Sequence, residues 1–323
     1  MLSFFLLILG FVLLIVGAGK LIESSSSLAR RMNIPDIVIG LTVVALGTSA
    51  PELVVNVMAS SRDQSAMVLG NVLGSNIFNI LMILGITSIV KPLTVKRNTT
   101  WLEIPLSLMA ALIVLVIGSD IFLDASDQNI ISRTDGIILL GLFLIFLVYN
   151  LELAQKGNEG NIVIEGKEQS VLIAIIWLIA GLAGLVIGGQ LIVDNAVSLA
   201  RSFGISERVI AITIISTGTS LPELAASFVA VKKGKVDMAI GNVVGSGIFN
   251  IFLILGTSSV IRPIKVSAEA LPDIFLNIVA NLLLFTFLFF NTKRNLRRAE
   301  GIVFIILYIF YIIYLLYPDK FNF

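Results

Sequence analysis

The chain has 323 residues, of which 57% are hydrophobic and 13% charged, and its mean hydropathy is +1.02. A soluble domain carries about 25% charged residues, so this composition indicates an integral membrane protein. Lysine and arginine number 22 against 21 acidic residues, which excludes the basic excess that nucleic-acid binding requires. The chain contains no cysteine and no histidine, and this excludes disulfides, thiolate nucleophiles and histidine-dependent zinc or triad chemistry. We therefore expect neither an enzyme nor a bound cofactor.

Apolar runs divide the chain into predicted membrane helices, each of which needs about 20 residues to cross the hydrocarbon core. The first run begins at residue 2 without a basic leader or a small-residue cleavage site, so we interpret it as a membrane helix and not as a signal peptide. A polar stretch at 154–169 lies near the middle and predicts a linker. The ten predicted spans are 2–29, 37–60, 66–90, 101–118, 136–153, 170–199, 208–231, 237–260, 271–290 and 301–317.

The distribution of basic residues predicts the orientation in the membrane, because cytoplasmic loops carry the excess of lysine and arginine. If the N-terminus lies outside, the inward loops hold 14 of these residues and the outward segments hold 7, with Lys20 inside the first span. We therefore expect a multi-pass protein of the plasma membrane with both termini outside.

The sequence matches itself when it is shifted by 171 residues. Over 10–92 against 181–263 there are 33 identities in 83 positions without a gap. Because glycine, serine, asparagine, proline and glutamate coincide, shared hydrophobicity does not explain the match. The two most similar segments pair GTSAPEL at 47–53 with GTSLPEL at 218–224, and GNVLGSNIFNILMILG at 70–85 with GNVVGSGIFNIFLILG at 241–256.

Each half contains five predicted spans, and an odd number places the second half upside down relative to the first. Inverted repeats of this kind are typical of secondary transporters, whose substrate site lies near the membrane midplane. The alternative is a duplicated structural bundle without a transport role. The predicted fold is all-α, with ten transmembrane helices as two five-helix inverted-topology repeats. Its parts are an N-terminal repeat at 1–155 with its motif at 38–85, a short cytoplasmic linker at 156–168, and a C-terminal repeat at 169–323 with its motif at 209–256.

The GTSAPE segment of the first half and the GTSLPE segment of the second each combine a proline with a carboxylate at membrane depth. Pro51 has no amide hydrogen to offer the carbonyl of Gly47, and such a free carbonyl persists only if protein, water or an ion satisfies it. Thr48 lies four residues before Glu52, so we expect their side chains to share one helix face. An ionised glutamate at this depth costs several kcal/mol unless it is paired, and no basic residue recurs nearby. A bound cation or a proton is the expected partner.

Further oxygen ligands recur at helical spacing in the next span of each half. Ser75 precedes Asn79 by four residues, and Ser246 precedes Asn250 by the same interval. Carboxylate, hydroxyl, amide and carbonyl oxygens are hard ligands, which suit Ca²⁺ or Na⁺ better than softer transition metals. Small polar residues in membrane helices are also common packing residues. For Ser49, Ser220 and Asn56 that interpretation is as good as a binding role.

These paired motifs resemble the two repeats of sodium/calcium exchangers, within the calcium:cation antiporter superfamily. The resemblance implies that Glu52 and Glu223 bind Ca²⁺ and Na⁺ in alternation. Asn250 stands where potassium-dependent relatives carry aspartate, which argues against K⁺ dependence. The other positions that the resemblance implies as ligands are Thr48, Thr219, Asn79, Ser75, Ser246 and the carbonyls of Ala45 and Ser216.

The expected function is therefore electrogenic, K⁺-independent exchange of Na⁺ for Ca²⁺ by alternating access, carried out by a monomer in the lipid bilayer. Exchange of protons for Ca²⁺ is the nearest alternative, because two glutamates could release two protons for each Ca²⁺. Repeated threonine, serine and asparagine ligands favour Na⁺, since a proton needs only the carboxylate. A cation channel is a further alternative, but channels usually form a continuous pore from symmetric subunits.

Overall fold

The computed structural model describes residues 2–96, 99–123, 125–156, 170–204, 216–291 and 294–317. The described chain is almost entirely helical, with four two-residue strands. Short helical turns at Asp120–Leu123 and Ser216–Gly218 lie outside the main helices. The main helices are α1 Leu2–Arg31, α2 Asp36–Thr48, α3 Ala50–Ser61, α4 Ser65–Val90, α5 Thr99–Ile117, α6 Arg133–Lys156, α7 Val171–Ser202, α8 Leu221–Lys232, α9 Val236–Ile261, α10 Ala268–Phe290 and α11 Arg298–Leu316.

The described residues include eight helices that are long and apolar enough to cross a membrane. A ninth span is possible if α2 and α3, which meet at a 48° bend, are counted together. The remaining predicted span, at 208–231, begins outside the described residues. Nearly all of the predicted linker at 156–168 also lies outside them. The all-helical membrane fold is confirmed, whereas the count of ten helices and the repeat boundaries stay predictions.

Helices α4 and α9 form the centre of the bundle. In their most apolar stretches 78% and 94% of the residues are buried, against 17% in α6 and α11. Both central helices change to wider π-helical turns at equivalent places, Phe78–Ile83 and Phe249–Leu255. Such turns are rare and occur frequently at functional sites. The outer helices expose large apolar side chains, which suits contact with lipid tails.

Contacts between loops define two ends of the bundle. At the end that we call the Asp36 end, Lys235 pairs with Asp36 at 2.9 Å, and Leu93–Thr94 pairs as an antiparallel strand with Asn295–Leu296. Lys96 also pairs with Asp237 there, at 2.7 Å.

At the opposite, Asp63 end, Arg262 pairs with Asp63 at 2.9 Å, and Ile130–Ile131 pairs with Ile264–Lys265. Helix α4 runs from the Asp63 end to the Asp36 end, and α9 runs the other way. The two helices that the 171-residue shift superimposes in sequence are therefore antiparallel in space.

The long helices α1 and α7 pack against each other with their backbones in contact. Gly10 lies against Gly188 and Gly17 against Gly181, so the two helices are antiparallel. A Cβ atom added to Gly17 would lie 2.8 Å from the carbonyl oxygen of Gly181, closer than real side chains allow. Only glycine permits this approach, which is the close packing that small residues give to membrane helices.

We expect Gly17→Val to destabilise the protein by about 1–3 kcal/mol, because its side chain would force α1 and α7 apart. Gly141→Val in α6 is the matched control, since a Cβ there has no atom within 4 Å. Thermal unfolding of the purified protein in detergent measures the difference. Equal melting temperatures for the two variants would contradict the packing described.

Candidate functional site

The polypeptide breaks its helix at the same place in both halves. Ser49 separates α2 from α3 with φ −83° and ψ 5°, and Ser220 precedes α8 with φ −89° and ψ 6°. Pro51 and Pro222 each occupy the first turn of the helix that follows, where a missing amide hydrogen costs nothing. The breaks place the next residue of each motif, a glutamate, at a helix N-terminus, whose partial positive charge favours a carboxylate.

Each of the two glutamates accepts a hydrogen bond from a serine of the other half of the protein and not from its own half. The Ser49 hydroxyl donates to Oε1 of Glu223 at 2.9 Å, and the Ser220 hydroxyl donates to Oε1 of Glu52 at 3.4 Å. Both carboxylates are buried, with 1% of each residue exposed, and they lie close enough to interact electrostatically. The site is therefore a single cluster that both halves build together.

The serines of the central helices complete this cross-linked arrangement. Ser246 Oγ lies 3.0 Å from Ser49 Oγ, and Ser75 Oγ lies 3.1 Å from Ser220 Oγ. Each hydroxyl pair joins a helix break of one half to the central helix of the other. The predicted ligands Ser75 and Ser246 thus each contact a serine hydroxyl group that donates to a carboxylate.

The threonines also approach the carboxylate of the opposite half. Thr48 lies beside Glu223, and Thr219 lies beside Glu52. The helical spacing predicted that Thr48 and Glu52 would share one helix face. The break at Ser49 ends the helix between them, so that spacing rule no longer applies. The threonine is in the site, but it faces the other glutamate.

Asn242 of α9 holds the first helix break in position. Its Oδ1 accepts from Oγ1 of Thr48 at 3.1 Å, and its Nδ2 donates to Oγ of Ser227 at 2.9 Å. The same Nδ2 lies 3.4 Å from the backbone carbonyl oxygen of Glu223. One amide therefore joins three elements around the site.

Asn71, the repeat equivalent of Asn242, makes fewer hydrogen bonds to the second helix break. Oδ1 of Asn71 accepts from Oγ1 of Thr219 at 3.3 Å, whereas its buried Nδ2 has no partner. Asn56, which the repeat aligns with Ser227, likewise has a buried Oδ1 without a partner. The contacts around the two helix breaks are therefore not symmetric.

Several buried oxygens of the predicted ligands have no hydrogen-bond donor from the described residues. They include Oε2 of Glu52, Oε2 of Glu223 and Oδ1 of Asn250, while Asn79 has no partner at either amide atom. A buried polar atom without a partner is costly, so each needs an explanation. Oxygen atoms of this kind are what a hard cation binds. Among the described residues no three acidic side chains converge, so neutral oxygens would have to complete any coordination shell.

The two predicted carbonyl ligands differ in what the structure describes of them. Ala45 is fully buried one turn before the break, and its carbonyl accepts the amide of Ser49 at 2.9 Å. Ser216 begins the short turn Ser216–Gly218 at the edge of a described range, and its side chain lies outside the described residues.

A cavity of about 190 Å³ adjoins the helix breaks. Its lining includes Pro51, Pro222 and Thr219 beside the breaks, and Gln190 and Asp194 of α7. Since α7 is antiparallel to α1, Asp194 lies on the Asp63 side of the breaks. The cavity therefore approaches the site from the Asp63 end of the bundle.

Sequence reasoning missed the roles of several residues around the predicted ligands. Ser49 and Ser220 were as consistent with packing as with binding, yet they contact the carboxylates directly. Asn71 and Asn242 stand in the glycine-rich motif, and sequence reasoning assigned them no role. Identity between the repeats was the available signal, because both pairs are unchanged under the 171-residue shift.

Comparison with known proteins identifies the family of the chain. The family model described as "Sodium/calcium exchanger protein" matches residues 2–152 and 173–317. CaxA of Alkalimonas amylolytica is 37% identical over 93% of this chain and 94% of its own length. The sodium/calcium exchanger MaX1 of Methanosarcina acetivorans is 30% identical over 95% of this chain and 96% of its own. A solved structure of the sodium-calcium exchanger NCX_Mj superimposes with a TM-score of 0.82 at 33% identity, covering 96% of this chain and 98% of that one.

The helical membrane fold and these matches define the class as a membrane transporter rather than an enzyme. The chain belongs to the sodium/calcium exchanger family.

The unequal contacts of Asn242 and Asn71 predict unequal effects of mutation. We expect Asn242→Ala to destabilise the protein by about 2–4 kcal/mol, because it removes the hydrogen bonds of one buried amide to Thr48 of α2 and to Ser227 and Glu223 of α8. Asn71→Ala removes one long hydrogen bond and should cost about 1 kcal/mol or less. Thermal unfolding of both variants in the same detergent compares them. A larger loss for Asn71→Ala would contradict the contacts described.

Proposed function

We propose that this protein exchanges Na⁺ for Ca²⁺ across the plasma membrane by alternating access. The observation that carries the proposal is the pair of buried glutamates, each with one oxygen that has no donor among the described residues. In that part of the chain no lysine or arginine forms an ion pair with either of them. Cations are the remaining way to balance two buried negative charges.

Charge balance explains why the two ions would exclude each other. Two ionised glutamates give the cluster a charge of −2, which one Ca²⁺ or two Na⁺ bring to zero. In a medium of low dielectric constant excess charge is strongly penalised, so Ca²⁺ and a full load of Na⁺ cannot be bound together. Competition at one site that opens to each side in turn results in antiport. A third Na⁺ would make each exchange cycle move one net charge.

In this proposal Glu52 and Glu223 bind Ca²⁺ and Na⁺ in alternation, and neutral oxygens complete the coordination. The hydroxyl contacts of the cluster and the unpaired amide atoms support these roles. The neutral ligands are Thr48, Thr219, Ser75, Ser246, Asn79, Asn250 and the carbonyls of Ala45 and Ser216.

The proposed architecture is ten membrane helices in two inverted repeats, at 1–155 and 169–323, with both termini outside. The antiparallel course of α4 and α9 supports it. In this orientation the Asp63 end faces the exterior, and the cavity beside Thr219 provides the outer access. The glycine contacts between α1 and α7 support sliding of these two helices as the motion that changes access. A monomer contains both halves of the site, so no second copy is required.

The first test is Ca²⁺ uptake into proteoliposomes under an outward Na⁺ gradient, an outward proton gradient, or Na⁺ with and without K⁺. The proposal expects uptake with Na⁺ alone and no further effect of K⁺, because Asn250 is neutral. Uptake driven only by the proton gradient would replace the proposal with proton/Ca²⁺ exchange. Steady downhill current without a counter-ion would indicate a channel.

Glu52→Gln and Glu223→Gln should each reduce Na⁺-driven Ca²⁺ uptake by at least about 100-fold, since each removes half of the charge that balances the ion. Glu103→Gln is the matched control. Glu103 is equally buried, but it accepts a hydrogen bond from Tyr149 at 2.6 Å, at a place outside the cluster. Retained uptake in both site variants would contradict the assignment.

Exchange of three Na⁺ for one Ca²⁺ would make uptake sensitive to voltage. An inside-positive potential should raise the final Ca²⁺ accumulation ratio by about 50-fold per 100 mV, because one net positive charge leaves in each cycle. A K⁺ gradient with valinomycin sets the potential, and the same gradient without valinomycin is the control. An unchanged ratio would show an electroneutral cycle.

A further inference from the structure

One polar position distinguishes the two central motifs. GNVLGSNIFN at 70–79 and GNVVGSGIFN at 241–250 differ at two places, and only one of these involves a polar side chain. There the first half has Asn76 and the second half has Gly247. The sequence resemblance assigns no role to either residue.

The structure places Asn76 against its own repeat equivalent. Its Nδ2 donates to the backbone carbonyl oxygen of Gly247 at 3.2 Å, and its Oδ1 accepts from Nδ2 of Asn250 at 2.9 Å. At most 2% of either asparagine is exposed, so bulk water does not compete for these bonds. Asn76 thus connects the two central helices where they lie side by side.

These two hydrogen bonds fix the orientation of both amides. A carbonyl oxygen can only accept, so the Asn76 atom that faces Gly247 must be Nδ2. Its other atom is then Oδ1, which can only accept, so Asn250 must turn its Nδ2 towards Asn76. Oδ1 of Asn250 remains as a buried acceptor without a partner among the described residues.

Asn79, the repeat equivalent of Asn250, lacks this constraint. Neither of its amide atoms has a hydrogen-bond partner in the described chain. The residue that would hold it by symmetry is Gly247, which has no side chain. The protein therefore fixes the direction of one central asparagine and leaves the other to be oriented by what it binds.

We infer that Asn76 is a positioning residue for cation binding, which holds Asn250 with its oxygen, and not its amide nitrogen, free for the ion. This inference rests on the proposed function, because it assumes that Asn250 is a ligand. If Asn250 turned over, it would present an N–H group to the cation and place two oxygens face to face at Asn76. Pre-orientation of a ligand by a neighbour that does not touch the ion is a common means of raising affinity.

The repeat itself supplies the test. Asn76→Gly makes the two motifs alike at this position and should weaken Ca²⁺ binding by about 5- to 10-fold, the effect of losing one buried hydrogen bond. The double variant Asn76→Gly/Gly247→Asn moves the asparagine to the other half, where it can orient Asn79. A Cβ at Gly247 fits, since its nearest neighbour is Ser107 Oγ at 3.4 Å. We expect the double variant to regain affinity.

Calorimetric titration of Ca²⁺ into the purified protein, with thermal unfolding in parallel, is the measurement. Asn150→Ala is the control, because Asn150 is also buried but donates only to the carbonyl of Phe146. It should leave the Ca²⁺ affinity unchanged. A lower melting temperature of Asn76→Gly with unchanged affinity would overturn the inference and leave Asn76 a structural residue.

The binding measurement separates this inference from the proposed function. Wild-type protein that binds Ca²⁺ but shows no Na⁺-driven uptake contradicts the Na⁺ exchange alone, while the affinity of Asn76→Gly still decides the role of Asn76. Wild-type protein that binds no Ca²⁺ contradicts both.

Discussion

Two carboxylates buried together without a basic partner are the constraint around which this molecule is organised. Glu52 and Glu223 sit where a continuous membrane helix would offer neither hydrogen-bond donors nor a favourable field. The helix break in each half provides both, because the carboxylate then lies at a helix N-terminus and beside a serine hydroxyl group that donates to it. The break also needs room, which comes from Gly47 and Gly218, where any side chain would overlap Leu182 or Val193.

The two halves depend on each other for the hydrogen bonds of their carboxylates. Each glutamate accepts from a serine of the opposite half, so neither half satisfies its own carboxylate. The hydroxyl groups between them keep the two charges in one cluster while still leaving an oxygen of each unpaired. The hydroxyl and amide groups beside the two glutamates are neutral, so in the proposed exchange one divalent or two monovalent cations would balance the charge.

Much of this could be predicted from the sequence, because a repeat of polar residues in apolar helices is a strong signal. The two glutamates, the serines at 75 and 246 and the helical membrane fold were all accessible in that way. What could not be predicted is which half each ligand serves. A shift of 171 residues shows that Thr48 and Thr219 are equivalent, but not that each crosses to the other carboxylate. That depends on the break at Ser49, which overrides helical spacing.

Departures from the repeat carry as much information as the identities. Asn242 makes hydrogen bonds with both of its amide atoms, whereas Nδ2 of Asn71 has no partner among the described residues, so the contacts of the two halves differ where their residues are identical. Such a difference is expected of a transporter that is accessible from one side at a time. The replacement of Asn76 by glycine in the second half is of another kind, since it is built into the chain and persists in every conformation.

The small antiparallel strand pairs at the two ends have a mechanical consequence. Each joins loops that come from different halves, Leu93–Thr94 with Asn295–Leu296 and Ile130–Ile131 with Ile264–Lys265. They fasten the helices around the central pair at both membrane surfaces. In the part of the chain that the structure describes, α1 and α7 take part in no strand pair. They meet through their glycines and through Lys20 over Trp177, and Lys233 joins α1 at Glu23 and at the carbonyl of Gly19. The helices around α4 and α9 are therefore joined by backbone hydrogen bonds between loops of different halves, whereas α1 and α7 are held to their neighbours by side-chain and glycine contacts.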